Sequence, residues 1–480
     1  MTTALLETVT KKRKTARPQL AGIRDRIVGV ETKVPTLDGQ MVPYVNFDNA
    51  ASTPVLREVL DVVNEFMPWY SSVHRGSGFK SQLATEAYED ARHIVGRFFG
   101  ADSREHVVVF GKNSTEALNK LSYRLGLNKD DVVLVSLLEH HSNDLPWRKQ
   151  AVVKRIKTDK FGRLDEADFD QKLKRYRGRI KLVAVTGGSN VTGHVPAIHR
   201  LAAKAHAAGA QILVDCAQLA PHRAVDIGRL DDPEHLDYIV ISAHKMYAPF
   251  GTGALIGRRD TFEKGTPELC GGGTIDLVTT QQVKWTSPPD RDEAGSPNVV
   301  GAVALAAGLI SLRQIGMAQI AAHEAELTAY ALRQLGQLKE IKIYGDNDPA
   351  AAHQRLGVIP FRVEGLSHSL VASILGTEFG IGVRSGCFCA HPYVTSLLDM
   401  NKADIKRFGK AVTNGDKRAM PGFVRVSFGM YNTMSEVDKL VEALKVIIAG
   451  KYRGHYLQDK PTGEFRAVGH QPDLKKYFKL

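Results

Sequence analysis

Short apolar runs alternating with helical patterns constrain this chain more than any other feature. The runs lie at 107–110, 132–137, 182–186, 211–214 and 238–241, and helix-period stretches occupy 82–99, 115–125, 165–177 and 197–208. Apolar runs of that length, rich in β-branched residues, read as strands buried on both faces. Strands alternating with helices predict an α/β fold with a mainly parallel sheet. Ligands of such sheets bind outside the carboxyl ends of the strands.

The residues just past those ends carry chemistry. They are Ser114-Thr115-Glu116, Glu139-His140-His141, Ser189-Asn190, Asp215-Cys216-Ala217-Gln218 and Ser242-Ala243-His244-Lys245. A lysine closing a buried strand is costly unless it is paired or uncharged. A Schiff base with an aldehyde cofactor accounts for it, the alternative being a surface lysine beyond the strand end. Pyridoxal 5′-phosphate needs such a lysine, an anion beside its ring nitrogen, a stacking group and a phosphate cup. Lys245, Asp215 and His140 suit the first three, with Gln218 a donor to the ring oxygen. Ser114 and Thr115 open a helix whose N–H groups favour phosphate, and Ser242 and His244 complete the cup. Each has a plainer reading. Asp215 suits a helix N-cap, Ser114 an N-cap with Glu116 in the first turn, and His140 an ordinary hydrogen-bonded strand-end histidine.

A chain of 480 residues suits two packed units. We expect an arm over 1–40, a large domain over 41–309, a smaller α+β domain over 310–455 and a polar, loosely packed tail over 456–480. Residues 399–421 interrupt the small domain. The longest apolar run, 299–312, is too short for a bilayer and reads as a buried core helix. The basic cluster Lys11–Lys14 follows a weak apolar stretch, the wrong order for a secretory signal, so the cytoplasm is the default. Four cysteines are too few for a disulfide framework, and Cys387-Phe-Cys389 lacks the partners of a zinc site, so no metal is expected. A net charge of +12 raises nucleic acid as a partner, but no helix-turn-helix, finger or aromatic-basic platform supports it.

A series of motifs in fixed order then resembles a known family. They are FDNAASTP (47–54), HRG (74–76), STEALN (114–119), EHHSN (139–143), SNVTG (189–193), DCAQ (215–218), SAHK (242–245), EAGSPN (293–298), RSGCFCAHP (384–392) and RVSFGMYNT (425–433). The chain resembles the class V, fold-type I pyridoxal-phosphate enzymes, and among them the cysteine desulfurases of the SufS-like branch. The resemblance implies the fold-type I architecture, a homodimer, L-cysteine as substrate and a protein as possible sulfur acceptor. It makes Lys245 the Schiff-base residue, His140 the stacking acid/base, Asp215 the ring-nitrogen partner and Gln218 the ring-oxygen donor. It places Asn190 near the ring oxygen and the substrate carboxylate. Thr115, Ser242 and His244 would hold the phosphate, with Ser296 reaching the phosphate of the other subunit. Arg425 would grip the substrate carboxylate, with Arg384 beside it, and Cys389 would accept sulfur as a persulfide. Arg384 and His391 are expected to lower the pKa of that thiol. The alternative is a C–S or selenocysteine lyase, or a class V aminotransferase, that does not use Cys389.

Two features depart from the pattern. Cys387 stands two residues before the expected nucleophile, as a relay, a resolving thiol or a bystander. The stretch between Cys389 and Arg425 is long and carries Lys402, Lys406, Arg407, Lys410, Lys417 and Arg418, suited to an acidic acceptor or to a solvated surface.

Overall fold

The computed structural model describes Leu20 and residues 22–480. The basic cluster Lys11–Lys14 lies outside the described residues. The chain forms two compact units. The first comprises Ser52–Ser189 and His194–His323 with the described residues up to Val28; the second comprises Gly29–Ala51, Asn190–Gly193 and Glu324–Leu480.

The first unit is built on a seven-stranded sheet. Its strands are β1 (His106–Gly111), β2 (Val132–Ser136), β3 (Val152–Ile156), β4 (Ile180–Thr186), β5 (Gln211–Asp215), β6 (Tyr238–Ser242) and β7 (Gly253–Arg258). Their spatial order is β1-β7-β6-β5-β4-β2-β3. Only β7 runs against its neighbours, pairing Ala254 with Phe110 on one side and with Ile241 on the other. The remaining pairs are parallel, so β1, β2, β4, β5 and β6 end at one edge.

One face packs Val107, Val109, Val133, Val135, Leu182, Ala184 and Val240 against Ala117, Leu118 and Leu121 of the helix Ser114–Arg124. The alternate residues Val108, Leu134, Val183, Ile239 and Ile256 are buried as well. Both faces are therefore covered, which is why these strands read as continuous apolar runs. Each such valine, leucine or isoleucine contributes about 1.5–3 kcal/mol when fully buried. The run near 299 is the helix Val299–Ile315, apolar around its whole circumference and almost wholly buried. Among the described residues no single helix is long and apolar enough to cross a membrane.

Two strands escape sequence patterning for opposite reasons. β3 lies at the sheet edge and carries Lys154 and Arg155, so it shows no apolar run. β7 contains Gly253 and Gly257, which lower strand propensity. They are required: a Cβ on Gly253 would lie 2.6 Å from the Asn113 Cα, and one on Gly257 2.4 Å from the Tyr238 ring.

The second unit holds a four-stranded antiparallel sheet ordered Ile341–Ile343, Val358–Val363, Phe423–Ser427, Arg384–Gly386. Its core includes Phe47, Ile359, Phe361, Val424, Val426 and Phe428 with the helices His368–Phe379 and Met434–Ile448. The stretch after Cys389 contains a helix, Lys402–Thr413, none of whose residues is buried. The segment after Gly450 is packed as far as Ala467, and residues 471–480 are exposed. Its hairpin, Tyr456–Gln458 with Phe465–Ala467, docks on the helix His368–Phe379. The buried Glu378 carboxylate accepts from the Arg453 and Gly454 amides and the Tyr456 hydroxyl, at 2.9 Å for the last. Those donors are too far apart in sequence to announce the docking.

Candidate active site

In the first unit the carboxyl edge of the sheet gathers the polar residues. Beyond β1 the helix cap is Asn113, not Ser114: Asn113 Oδ1 accepts the Glu116 N–H at 3.0 Å. Ser114 is thereby released to a different partner. Its N–H donates to Ser242 Oγ at 2.9 Å, and that hydroxyl donates to Ser114 Oγ at 2.9 Å. Ser114 and Ser242 thus meet where the first turn of an eleven-residue helix points its N–H groups.

Thr115 joins a second chain of contacts. Its hydroxyl lies 2.7 Å from Ser142 Oγ, which lies 3.0 Å from His140 Nδ1. The Ser142 N–H also donates to His140 Nδ1 at 3.2 Å. An amide only donates, so Nδ1 bears the lone pair, and the neutral ring carries its proton on Nε2. Glu139 beside it is buried and accepts from the Asn143 amide at 2.6 Å and the Thr186 N–H at 2.8 Å. Burial pushes its carboxyl up to about 8, and the neighbouring Asp215 adds to the rise. Glu139 was not assigned from sequence, where it looks like any loop acid.

Asp215 closes β5 and is 6% exposed. Its Oδ1 accepts the Ala217 N–H at 3.0 Å, an Asx turn and not a helix cap. Burial raises its pKa, opposed by that hydrogen bond and by the Lys245 charge. Gln218, three residues later, is buried.

Beyond β6, Ala243–Lys245 form a single 3-10 turn that presents a half-buried Lys245. The His244 carbonyl accepts the Thr53 N–H at 2.9 Å, and the Tyr247 N–H donates to Thr53 Oγ1 at 2.9 Å. These bonds hold Tyr247 in the left-handed region, at φ 60°. Gly308 lets the buried helix approach here, since a Cβ would lie 2.9 Å from the Met246 carbonyl oxygen. The lysine turn is therefore rigidly seated. Burial and the Lys245 charge push His244 down to about 4, so its ring is neutral at physiological pH. Ser296 sits apart on an exposed loop ahead of the helix Val299–Ile315.

The second unit carries the remaining candidates. Arg425, 2% exposed, donates from Nη1 to the Asn190 carbonyl at 3.0 Å and from Nη2 to Asp48 Oδ1 at 2.7 Å. Arg384, largely exposed, reaches Asp48 Oδ2 at 3.4 Å. Two guanidiniums therefore converge on one carboxylate, the chemistry an amino-acid carboxylate offers. Asp48 was quoted within FDNAASTP without a role, and it is the residue sequence reasoning missed here.

The loop 387–390 separates its two cysteines. Cys387 is buried and donates its S–H to the Pro421 carbonyl at 2.9 Å. Burial and the neighbouring Cys389 push its thiol up to about 12. Phe388 and Cys389 are both left-handed, at φ 51° and 55°, a conformation costing about 1–3 kcal/mol per non-glycine residue. The Asn190 side chain donates to the Phe388 carbonyl at 2.7 Å, and the Arg425 guanidinium stacks 4.8 Å over the Phe388 ring. The strained turn is pinned from two sides, and it leaves Cys389 exposed. His391 is held below the ordinary histidine value by burial, so it supplies little positive charge to that thiol at neutral pH. Arg425 is a cation close enough to act on that thiol electrostatically.

This contrast gives an expected result. With a pKa about 12, roughly one part in ten thousand of Cys387 is thiolate at pH 8. Brief iodoacetamide treatment of the native protein at pH 8 should label Cys389 and the exposed Cys270, leaving Cys387 and Cys216 unmodified by peptide mass spectrometry. Equal labelling of Cys387 would contradict the buried thiol.

The family pattern of aminotransferase class-V matches residues 45–440. The chain belongs to that family. A cysteine desulfurase of Haloferax volcanii is 34% identical over 432 residues, spanning 88% of this chain and 94% of its own length. A probable cysteine desulfurase of Halobacterium salinarum is 35% identical over 409 residues, spanning 83% and 90%. Among solved structures, an apo cysteine desulfurase from Thermococcus onnurineus NA1 matches with a TM-score of 0.76 at 32% identity, over 91% of this chain and 100% of that one. The S-sulfonic acid form of the cysteine desulfurase CsdA from Escherichia coli matches at 0.73 and 28% identity, over 90% and 99%.

The fold is accordingly that of the fold-type I pyridoxal-phosphate enzymes. Class V aminotransferases work with pyridoxal 5′-phosphate, and the first unit fits it. A carboxyl that burial would otherwise neutralise gains from a ring N–H cation. The paired Ser114 and Ser242 stand at a helix N-terminus, where a phosphate is favoured.

Proposed function

We propose that this chain is a pyridoxal-phosphate-dependent cysteine desulfurase, taking the sulfur of L-cysteine onto Cys389 and releasing L-alanine. One observation carries this reading beyond the family: a strained, pinned turn exposes Cys389 and buries Cys387. An aminotransferase has no use for that arrangement.

When bound, pyridoxal phosphate supplies an electron sink that makes the substrate's α-proton and C–S bond labile. The chain's own residues do the rest. Lys245 anchors the cofactor, Asp215 holds the proton on its ring nitrogen, and Gln218 donates to its ring oxygen. Ser114, Thr115, Ser242 and His244 bind its phosphate, His244 as a neutral donor. His140 moves protons at Nε2, its Nδ1 being fixed by Ser142. Arg425 and Arg384 bind the substrate carboxylate, displacing Asp48, while Asn190 holds the Phe388 turn. The Cys389 thiolate attacks the substrate sulfur. An S–S bond forms, the C–S bond breaks with its electron pair left on carbon, and that carbon takes a proton to become alanine.

The test is a product assay on the purified holoprotein. Alanine and reducible sulfur in equal amounts from L-cysteine support the reading; pyruvate or a keto acid instead would identify a lyase or an aminotransferase.

The resemblance at EAGSPN suggests a homodimer in which Ser296, exposed in this chain, meets the partner's phosphate; a monomer mass by sedimentation equilibrium would overturn this. The solvent-facing Lys402, Lys406, Arg407 and Lys410 suit an acidic protein acceptor. Deleting 402–418 without loss of acceptor-stimulated turnover would remove that idea. A sulfur-carrying thiol needs a reducing compartment, which supports the cytoplasm; recovery in a secreted fraction would contradict it.

A further inference from the structure

Two histidines and an aspartate meet at the amino-terminal edge of the seven-stranded sheet, away from every residue assigned above. His206 lies in the last turn of the helix Ile198–Ala207, and His235 and Asp237 lie in the segment entering β6. The Asp237 side chain is 1% exposed. Its Oδ2 lies 2.9 Å from His206 Nε2 and its Oδ1 3.3 Å from His235 Nε2. The two imidazoles are stacked, with centroids 4.2 Å apart and planes inclined by 19°.

The opposite ring nitrogens decide the chemistry. His206 Nδ1 lies 2.7 Å from the Pro233 carbonyl oxygen, and His235 Nδ1 lies 2.6 Å from that of Asp232. A carbonyl oxygen only accepts, so both Nδ1 atoms carry hydrogen. Each neutral ring then turns its Nε2 lone pair toward a carboxylate oxygen, and the contacts are repulsive unless positive charge lies between them. Two added protons would supply it, at the cost of stacked imidazolium ions beside Arg258, whose Nη1 is 3.2 Å from Asp237 Oδ1. One divalent cation supplies the same two charges at a single point.

We infer that His206 Nε2, His235 Nε2 and Asp237 bind a zinc-type divalent cation. Their donor atoms all lie within 4.8 Å of one another. Tetrahedral zinc with bonds of about 2.0–2.1 Å sets its ligand atoms roughly 3.3 Å apart. Donation of Nδ1–H to a backbone carbonyl is the usual bracing of a metal-bound histidine. The His206 side chain is 19% exposed, leaving an approach for the ion and a water as fourth ligand. Arg258 opposes the cation, but its Nη2 is held at 2.6 Å by Asp260. Asp237 also accepts the Ile212 N–H at 2.8 Å, so a bound ion ties the helix Ile198–Ala207 to the starts of β5 and β6. The site is structural and does not depend on the proposed activity.

The test uses the full-length holoprotein, stripped with a chelator that is then removed, and titrated with Zn²⁺ by calorimetry with metal content measured by mass spectrometry. His206→Gln is the informative variant, since its partly exposed side chain can change without unfolding the sheet. Cys389→Ser controls for thiol binding. We expect one Zn²⁺ per chain in the native protein and in Cys389→Ser, and affinity weaker by about tenfold or more in His206→Gln. Zn²⁺ should raise the melting temperature of the native protein and not that of His206→Gln. No bound Zn²⁺ in the native protein, or unchanged affinity in His206→Gln, overturns the site.

Discussion

Cys389→Ser should keep the cofactor's visible absorbance and lose formation of alanine and sulfide from L-cysteine, by roughly 10³-fold or more in kcat, the scale on which an essential nucleophile acts. A serine hydroxyl is not ionised at neutral pH and cannot carry sulfur as a persulfide. The fold should tolerate the change, because Cys389 is exposed and its turn is held by the Phe388 carbonyl and ring. Cys387→Ser should stay within about threefold of the native rate, its buried thiol being pushed up to about 12 and so withheld as a nucleophile. A Cys389→Ser protein with undiminished turnover would exclude the desulfurase and favour a reaction that needs only the cofactor.

Lys245→Ala should lose the visible absorbance of a lysine-bound cofactor and release the cofactor on gel filtration, with turnover falling by about 10³-fold or more. The lysine turn is fixed by Thr53 and by close approach of the helix Val299–Ile315 at Gly308. Removing the amine should therefore leave the surrounding turn in place. Borohydride reduction followed by peptide mapping checks the assignment. A cofactor still attached covalently to Lys245→Ala would show that another amine serves.

Much of the first unit was legible because its strands are buried on both faces. Apolar runs at 107–110, 132–137 and 238–241 became β1, β2 and β6 with no end shifted by more than one residue. The strands that left no signal were the charged edge β3 and the glycine-bearing β7, whose glycines answer to neighbours distant in sequence. Ser114 and Thr115 open the helix Ser114–Arg124 as expected, and the plainer reading of Ser114 as its cap gives way to Asn113, an equally good cap in isolation. Only the Ser242 hydroxyl shows that Ser114 is otherwise engaged. The burial of Glu139 and the pair of arginines on Asp48 are features that no local pattern contains. The loop 387–390 is the sharpest case. Sequence offered two cysteines two residues apart; backbone conformation and the Pro421 carbonyl separate an exposed thiol from a buried one.

The central claim is that Cys389 accepts sulfur, and single-turnover reaction with L-cysteine tests it most directly. The holoprotein is mixed with one equivalent of L-cysteine, alkylated and digested, and its cysteine peptides are weighed. The account predicts a gain of roughly 32 Da, one sulfur atom, on the Cys389 peptide with matching alanine. Alanine formed with no added sulfur on Cys389, or sulfur found first on Cys387, would contradict it.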